Sequence, residues 1–334
     1  MRNFNFYILK MRSQFWFYFL FISLNSNSQN LTRGIIYWDT IKNEPIFSKN
    51  PNYYDIEKVR KNAETGDLEA QNRLGDIFYF GESVPIDKEK AFYWYTKSAE
   101  QGNKIAQNSL GDIFYLGEGV PIDMEKAFYW YTKSAEQEYE NAQYNLGKIY
   151  SAEEGVYNDK EKAYYWYSKS AEQGVAMAQL NLGIIYYHGQ GVLKDEKKAL
   201  YWYNKSAEQG VAEAQYNLGQ MYNYGQGVLT DKKKALYWYT KSAELGNKMA
   251  QNNLGVKYCL GDGVLTDKKK AVYWYSKSAE QGYAEAQFSL GVMYIFGDGV
   301  LIDKKKGALW IKKSYENGLE RVKAFWDKYE LWKY

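Results

Sequence analysis

An all-α stack of helical hairpins is the architecture to expect of this 334-residue chain. A 36-residue unit opens at Gly66 and restarts at Gly102, Glu138, Gly174, Gly210, Gly246 and Gly282, so seven copies fill residues 66–317. A fixed period of that size marks a solenoid, in which each unit buries its apolar surface only against its neighbours. Within a copy, apolar residues recur at helical spacing twice. Ala70, Leu74, Ile77 and Phe78 form one stripe, and Ala91, Trp94, Tyr95, Ser98 and Ala99 form the other. Between the stripes lie turn glycines and an aspartate that recurs in all seven copies.

Residues 1–28 read as a targeting segment. Arg2, Lys10 and Arg12 precede an apolar run, Phe15 to Leu24, of about ten residues, the length of a signal-peptide core. A membrane span wants roughly 20 apolar residues. Ser26 and Ser28 place small side chains at the −3 and −1 positions of a cleavage before Gln29. Phe4 to Leu9 lengthen the apolar zone, so an uncleaved N-terminal anchor is the other reading. Residues 29–53, with Gly34, Pro45, Pro51 and no period, are expected to be an irregular lead-in. Ile56, Val59 and Ala63 are helically spaced and align with the second half of a repeat, so the array begins at 54 with a half-unit.

In the first copy, helix A is expected from Asp67 to Phe80 and helix B from Asp87 onward. The turn between them is Gly-x-Gly-Val in most copies, as in Gly189 to Val192. Glycine there takes a positive φ without steric cost and stops helix A. Asp87, Asp123, Asp159, Asp195, Asp231, Asp267 and Asp303 each stand before a helical run, as N-caps worth about 1 kcal/mol apiece. Gly75 and its six equivalents lie inside helix A, where glycine costs about 1 kcal/mol against alanine. Close approach of helix B, with its Trp nearby, is the expected reason. The third copy departs from the pattern, with Glu138 for the leading Gly and Ser151 to Gly155 for the turn, and looser geometry is expected there. Residues 319–334 are expected to form a capping helix with Val322, Phe325, Trp326, Tyr329 and Trp332 on one face.

The unit carries Ala-x-x-x-Leu-Gly-x-x-Tyr, then Gly-x-Gly-Val, then Asp-x-x-Lys-Ala-x-x-Trp-Tyr-x-Lys-x-Ala. In copy four these are Ala178, Leu182, Gly183, Tyr186, Gly189, Gly191, Val192, Asp195, Lys198, Ala199, Trp202, Tyr203, Lys205 and Ala207. The pattern over 54–318 resembles the Sel1-like repeat, a relative of the tetratricopeptide repeat. The resemblance implies a right-handed α-solenoid with helix A on its concave face, acting as an adaptor and often exported. One branch of that family carries a disulfide in every repeat and is associated with penicillin binding. Cys259 is the only cysteine here, so those properties do not transfer.

Composition narrows the chemistry. One Cys and one His, His188, cannot supply a disulfide framework, a zinc site or several catalytic centres. No phosphate-cradling GxxxxGK[ST] motif is present. The net charge of +3 comes from 43 basic and 40 acidic residues, and without the three basic residues of the leader the two signs balance. Nothing therefore points to nucleic acid. No catalytic residue, metal or cofactor is expected, and membrane contact is expected only through an uncleaved N-terminal segment.

Function is then sought where the copies differ. Offsets 69, 72, 76 and 79 share one face of helix A, and that face turns apolar and aromatic in copies four to seven. Met177, Leu180, Ile184, Tyr187, Tyr216, Gln220, Val256, Phe288 and Val292 are the expected contacts for a protein or peptide. Packing onto the next repeat would serve the same residues equally well. Lysine accumulates at the start of helix B, reaching three in a row at 232–234, 268–270 and 304–306, where it opposes the helix dipole. The leading expectation is an exported, non-enzymatic scaffold. The alternatives are a binder of envelope glycan or another anionic polymer, and a hydrolase using His188 as base.

Overall fold

The computed structural model describes residues 56–334, except Ser83 and Glu154, and the backbone of four strands upstream. Those strands are β1 (Ile8–Ser13), β2 (Trp16–Ser23), β3 (Thr32–Asp39) and β4 (Glu44–Ile46). They pair antiparallel in sequence order, with Leu9 opposite Leu20, Phe19 opposite Ile36 and Tyr37 opposite Ile46. The lead-in expected to be irregular therefore contains β3 and β4. Its Thr32, Ile35, Ile36, Tyr37 and Trp38, like the Phe-rich run before it, are strand-favouring types. A short apolar run carries no period that separates strand from helix. The expected cleavage position, with Ser26, Ser28 and Gln29, lies outside the described residues.

The array itself is all-α. The half-unit α1 (Ile56–Glu64) buries Val59 and Ala63. Copy one is α2 (Leu68–Phe80) with α3 (Lys88–Glu100), and copy two is α4 (Lys104–Leu116) with α5 (Met124–Glu136). Copy three is α6 (Glu140–Ser151) with α7 (Lys160–Glu172), and copy four is α8 (Ala176–His188) with α9 (Glu196–Glu208). Copy five is α10 (Ala212–Tyr224) with α11 (Lys232–Glu244), and copy six is α12 (Lys248–Leu260) with α13 (Lys268–Glu280). Copy seven is α14 (Ala284–Phe296) with α15 (Lys304–Glu316). Each helix packs on the next, and A helices also touch directly, as α6 does α8 and α12 does α14. None of the described helices is long and apolar enough to cross a membrane.

Every B helix begins at its aspartate, whose carboxylate accepts from the third amide of the helix, as Asp87 does from Lys90 at 2.9 Å. Every A helix except α6 ends at a left-handed turn glycine, as Gly81 closes α2 at φ 74°. The second turn glycine has a tertiary reason besides. A Cβ on Gly299 would lie 2.5 Å from the Lys268 carbonyl oxygen, so the turn of one copy sits on the start of the previous B helix.

The glycine inside helix A is there for a tyrosine, not for the Trp. A Cβ on Gly111 would lie 2.4 Å from the Tyr131 ring, and Gly75, Gly147, Gly183, Gly219 and Gly255 face Tyr95, Tyr167, Tyr203, Tyr239 and Tyr275 likewise. Those tyrosines are at most 5 % exposed, whereas the Trp one residue earlier is half-buried at the edge of the core.

Two buried polar ladders stitch the array. Ser98 donates to the Leu68 carbonyl at 2.6 Å, and the equivalent Ser repeats the bond in all seven copies to Ser314. Gln71 donates to the Ala63 carbonyl of the preceding B helix, and its own side-chain oxygen accepts from Gln101 at 2.7 Å. These bonds satisfy polar groups that would otherwise be costly to bury.

At the C-terminus the expected single helix is broken. α16 spans Val322–Lys328, Glu330 turns left-handed at φ 48°, and a 3-10 turn follows over Leu331–Lys333. Leu331 is buried instead of Trp332, which is 57 % exposed, and Phe325 and Tyr329 cover the apolar end of copy seven.

Candidate functional site

The apolar face expected across copies four to seven does not stand free along its length. Leu180 is only 1 % exposed, inside the core between copies three and four. Its neighbours Tyr144 and Met177 pack on the same core, because the A helices approach closely enough there to enclose the second position of the face. Phe288 meets Phe325 of the cap edge-on at 5.2 Å, so the cap covers it. Val256 packs against the core of copy seven, and Val292 is half-buried.

Ile184, Tyr187 and Gln220 do come together. With Tyr203, Glu213, Asn217, Met221, Tyr224 and Gln226 they line a cleft of about 340 Å³ between copies four and five, with His188 at its rim. Gln226 donates to the Tyr187 hydroxyl at 2.6 Å, and the exposed His188 ring lies edge-on to Tyr187. Gln220 joins Tyr216 to Tyr239, donating to one hydroxyl at 2.5 Å and accepting from the other at 3.1 Å.

Tyr203 is what sequence reasoning missed. In copies one, two and five the buried helix-B tyrosine donates to the polar residue of its own helix A: Tyr95 to Asp76 at 2.8 Å, Tyr131 to Asp112 at 2.7 Å, Tyr239 to Gln220. In copy three Tyr167 meets Ser151, and in copy six Tyr275 meets Ser289. Copy four has Ile184 at the acceptor position. Tyr203 is 3 % exposed, lines the cleft and has no hydrogen-bond partner among the described residues. Burial pushes its hydroxyl well above the usual phenol range, with Tyr187 and Glu213 adding to the shift, so it is a neutral donor and acceptor. Setting the column Asp76, Asp112, Ile184, Gln220 beside the recurring tyrosines is the signal that would have found it.

Most of the lysine edge is occupied. Lys88 pairs with Glu118 at 2.8 Å, Lys232 with Asp262 at 3.4 Å and Lys268 with Asp298 at 2.9 Å, each bridging to the next copy's turn. In copies one to four and six the third residue of the run pairs with its own capping aspartate, as Lys90 does with Asp87. Lys257, almost wholly buried, holds Asp262 at 3.0 Å and Asn223 at 2.8 Å; burial lowers its pKa against the pull of that carboxylate. Lys268 also reaches the half-buried Cys259 at 3.2 Å. No group of three or more His, Cys, Asp or Glu that could hold a metal occurs among the described residues. The column of His188 is not a filled core position, since Phe80, Leu116, Tyr224, Leu260 and Phe296 are all at least half exposed there.

An array of capped helical hairpins, each packed on the next, defines a repeat solenoid. Seven Sel1 repeats match, at 68–103, 104–139, 141–175, 176–211, 212–247, 248–283 and 284–319, and the chain belongs to the Sel1 repeat family. It is similar to a solved protective antigen present in uropathogenic Escherichia coli strains, which displays the same repeat fold. The two share 35 % identity and a TM-score of 0.75 over 82 % of this chain, which spans 60 % of the antigen's length. A Sel1 repeat protein from Oxalobacter formigenes is 35 % identical, with a TM-score of 0.66 over 82 % of this chain and 79 % of that one. No curated protein matches the chain. Sel1 repeat proteins are in general scaffolds for protein–protein interaction and typically non-catalytic.

Proposed function

We propose that this chain binds an extended peptide segment of a partner protein along its A helices, with one side chain seated in the cleft between copies four and five, and performs no catalysis. The unpartnered Tyr203 hydroxyl is the observation that carries this reading. A hydroxyl without a protein partner on the wall of an open cleft is free to bond a group that enters it. Ile184 and Met221 offer apolar contact, while Tyr203, Glu213 and Asn217 offer polar contact at the bottom and side. Only Ile184 and Met221 of the lining are wholly apolar, so a side chain seated here would be held by hydrogen bonds as well as by burial. Direct contact between A helices supports placing them on the inner wall, where a segment can touch several copies at once.

Ile184→Asp tests it with little risk to the fold, since it gives Tyr203 the acceptor that Asp76 gives Tyr95. Peptides selected from a displayed library on the full chain should bind the variant at least about tenfold more weakly, about 1.4 kcal/mol by calorimetry. Equal affinity in a folded Ile184→Asp protein would remove the cleft from the site. Export belongs to the same reading and rests on the leader pattern of residues 1–28. Extracytoplasmic material beginning at Gln29 supports it, and material found only inside the cell with Met1 intact contradicts it.

A further inference from the structure

Four leucines stand almost fully in solvent along one edge of the array: Leu193 at 91 %, Leu229 at 88 %, Leu265 at 89 % and Leu301 at 90 % exposed. Each occupies the same place in the A–B turn, two residues before the capping aspartate. Two residues after that aspartate come Lys197, Lys233, Lys269 and Lys305, exposed and without an ion pair among the described residues. Of the neighbouring lysines, Lys198, Lys232, Lys268 and Lys270 are held by capping or turn carboxylates, whereas Lys234, Lys304 and Lys306 lie over the rings of Tyr222, Tyr334 and Tyr294 and have no ion pair among the described residues. Uncompensated positive charge therefore runs beside the leucines, at Lys197, Lys233, Lys269 and Lys305 in every one of copies four to seven and at further lysines in copies five and seven.

The two columns change together. Copies one and two carry Pro85 and Pro121 in place of the leucine, and copy three carries Tyr157, which folds back to stack on Phe128 at 4.4 Å. In the same three copies the lysine column reads Glu89, Glu125 and Glu161. Ile86 and Ile122 are exposed in the first two turns, but beside acid rather than base. Helix dipoles disfavour lysine in a first turn, and neither capping nor repeat packing uses these four. Solubility would be served equally by glutamate, as in copies one to three, and not by leucine at all.

We infer that the turn edge of copies four to seven rests on an anionic lipid surface, the leucines entering the headgroup–acyl boundary and the free lysines meeting lipid phosphates. Isolated leucines on protruding turns match a deformable apolar layer better than a preformed protein pocket, and unpaired lysines beside them supply attraction to negative headgroups. Neither column suffices alone. A polyanion without an apolar interior would use the lysines and leave the leucines in water. This edge is separate from the cleft, so the inference stands independently of peptide binding.

The test is co-sedimentation of the full chain with vesicles of phosphatidylcholine containing phosphatidylglycerol, and with phosphatidylcholine alone. Retention on the anionic vesicles should exceed that on the neutral ones by about tenfold or more and fall as salt is raised. K197E, K233E, K269E and K305E together, which copy the charge of the first three repeats, should abolish that difference. L193S, L229S, L265S and L301S together should lower retention several-fold with an unchanged far-UV spectrum, since these side chains touch almost nothing. A leucine variant that sediments like wild type while the lysine variant is lost overturns the lipid assignment in favour of a polyanion, which heparin retention sensitive only to the lysines would identify. Wild-type retention in both variants, as an attached N-terminal segment would produce, also overturns it.

Discussion

Gln215 has a buried side-chain oxygen with no donor, alone in its column, because Leu245 stands where the other copies have Gln101, Gln137, Gln173, Gln209, Gln281 or Asn317. An unsatisfied buried acceptor costs about 1–3 kcal/mol, and a restored hydrogen bond returns about 1 kcal/mol net. Leu245→Gln should therefore raise stability by about 1 kcal/mol, read as a higher urea midpoint at unchanged slope. An unchanged or lower midpoint would show that water already serves Gln215 from outside the array. The gap at Tyr203 is similar, a hydroxyl without the acceptor that Asp76, Asp112 or Gln220 supplies in other copies, yet it opens into a cleft and so has a use. At this scale the recurring residues were legible in the sequence, while the role of each tyrosine was not. Trp and Tyr are adjacent in copies one to six, and only the packing decides which of the two reaches the glycine.

Among the helices, α6 is the least secured. Tyr139 gives it no side-chain N-cap bond, and Ala152, in extended conformation, closes it where the other A helices meet a left-handed glycine. Glu138 adopts φ 59° in the position of a glycine, a strain of about 1–3 kcal/mol for a residue with a Cβ. Ser151 compensates in part, bonding the Lys148 carbonyl and Tyr167. The looseness expected from this copy's altered turn thus takes the form of a helix one residue short, followed by Val156 at 97 % exposure. Limited digestion with a glutamate-specific protease should cut first within 152–156, because segments with few contacts and frayed helix ends open most readily. A first cut in any other turn would mean that the third copy is as firm as the rest. Where capping is concerned the sequence was a sound guide, since a cap depends on residues three or four apart and on nothing distant.

Across the whole molecule the copies are bound only to their neighbours, so order spreads along the chain by repetition of one interface. That is why a 36-residue period in the sequence was enough to determine the number of hairpins, their caps and the helical nature of residues 56–316. Periodicity fails at the ends, where a segment has no second copy to be compared with. The strands upstream and the break at Glu330 were both missed there. It also could not tell which positions of helix A stay open. Leu180 and Ile184 are four residues apart on one face, yet the first is sealed by the preceding copy and the second lines a cleft. Exposure depends on how closely successive A helices approach, a property of the stack rather than of any one helix. The sequence by itself determined the unit and its repetition, because these follow from local caps and from apolar spacing. Only the tertiary structure decided which lysines are paired, which tyrosine lacks a partner and which leucines stand in water, because each of these answers depends on the adjoining copy.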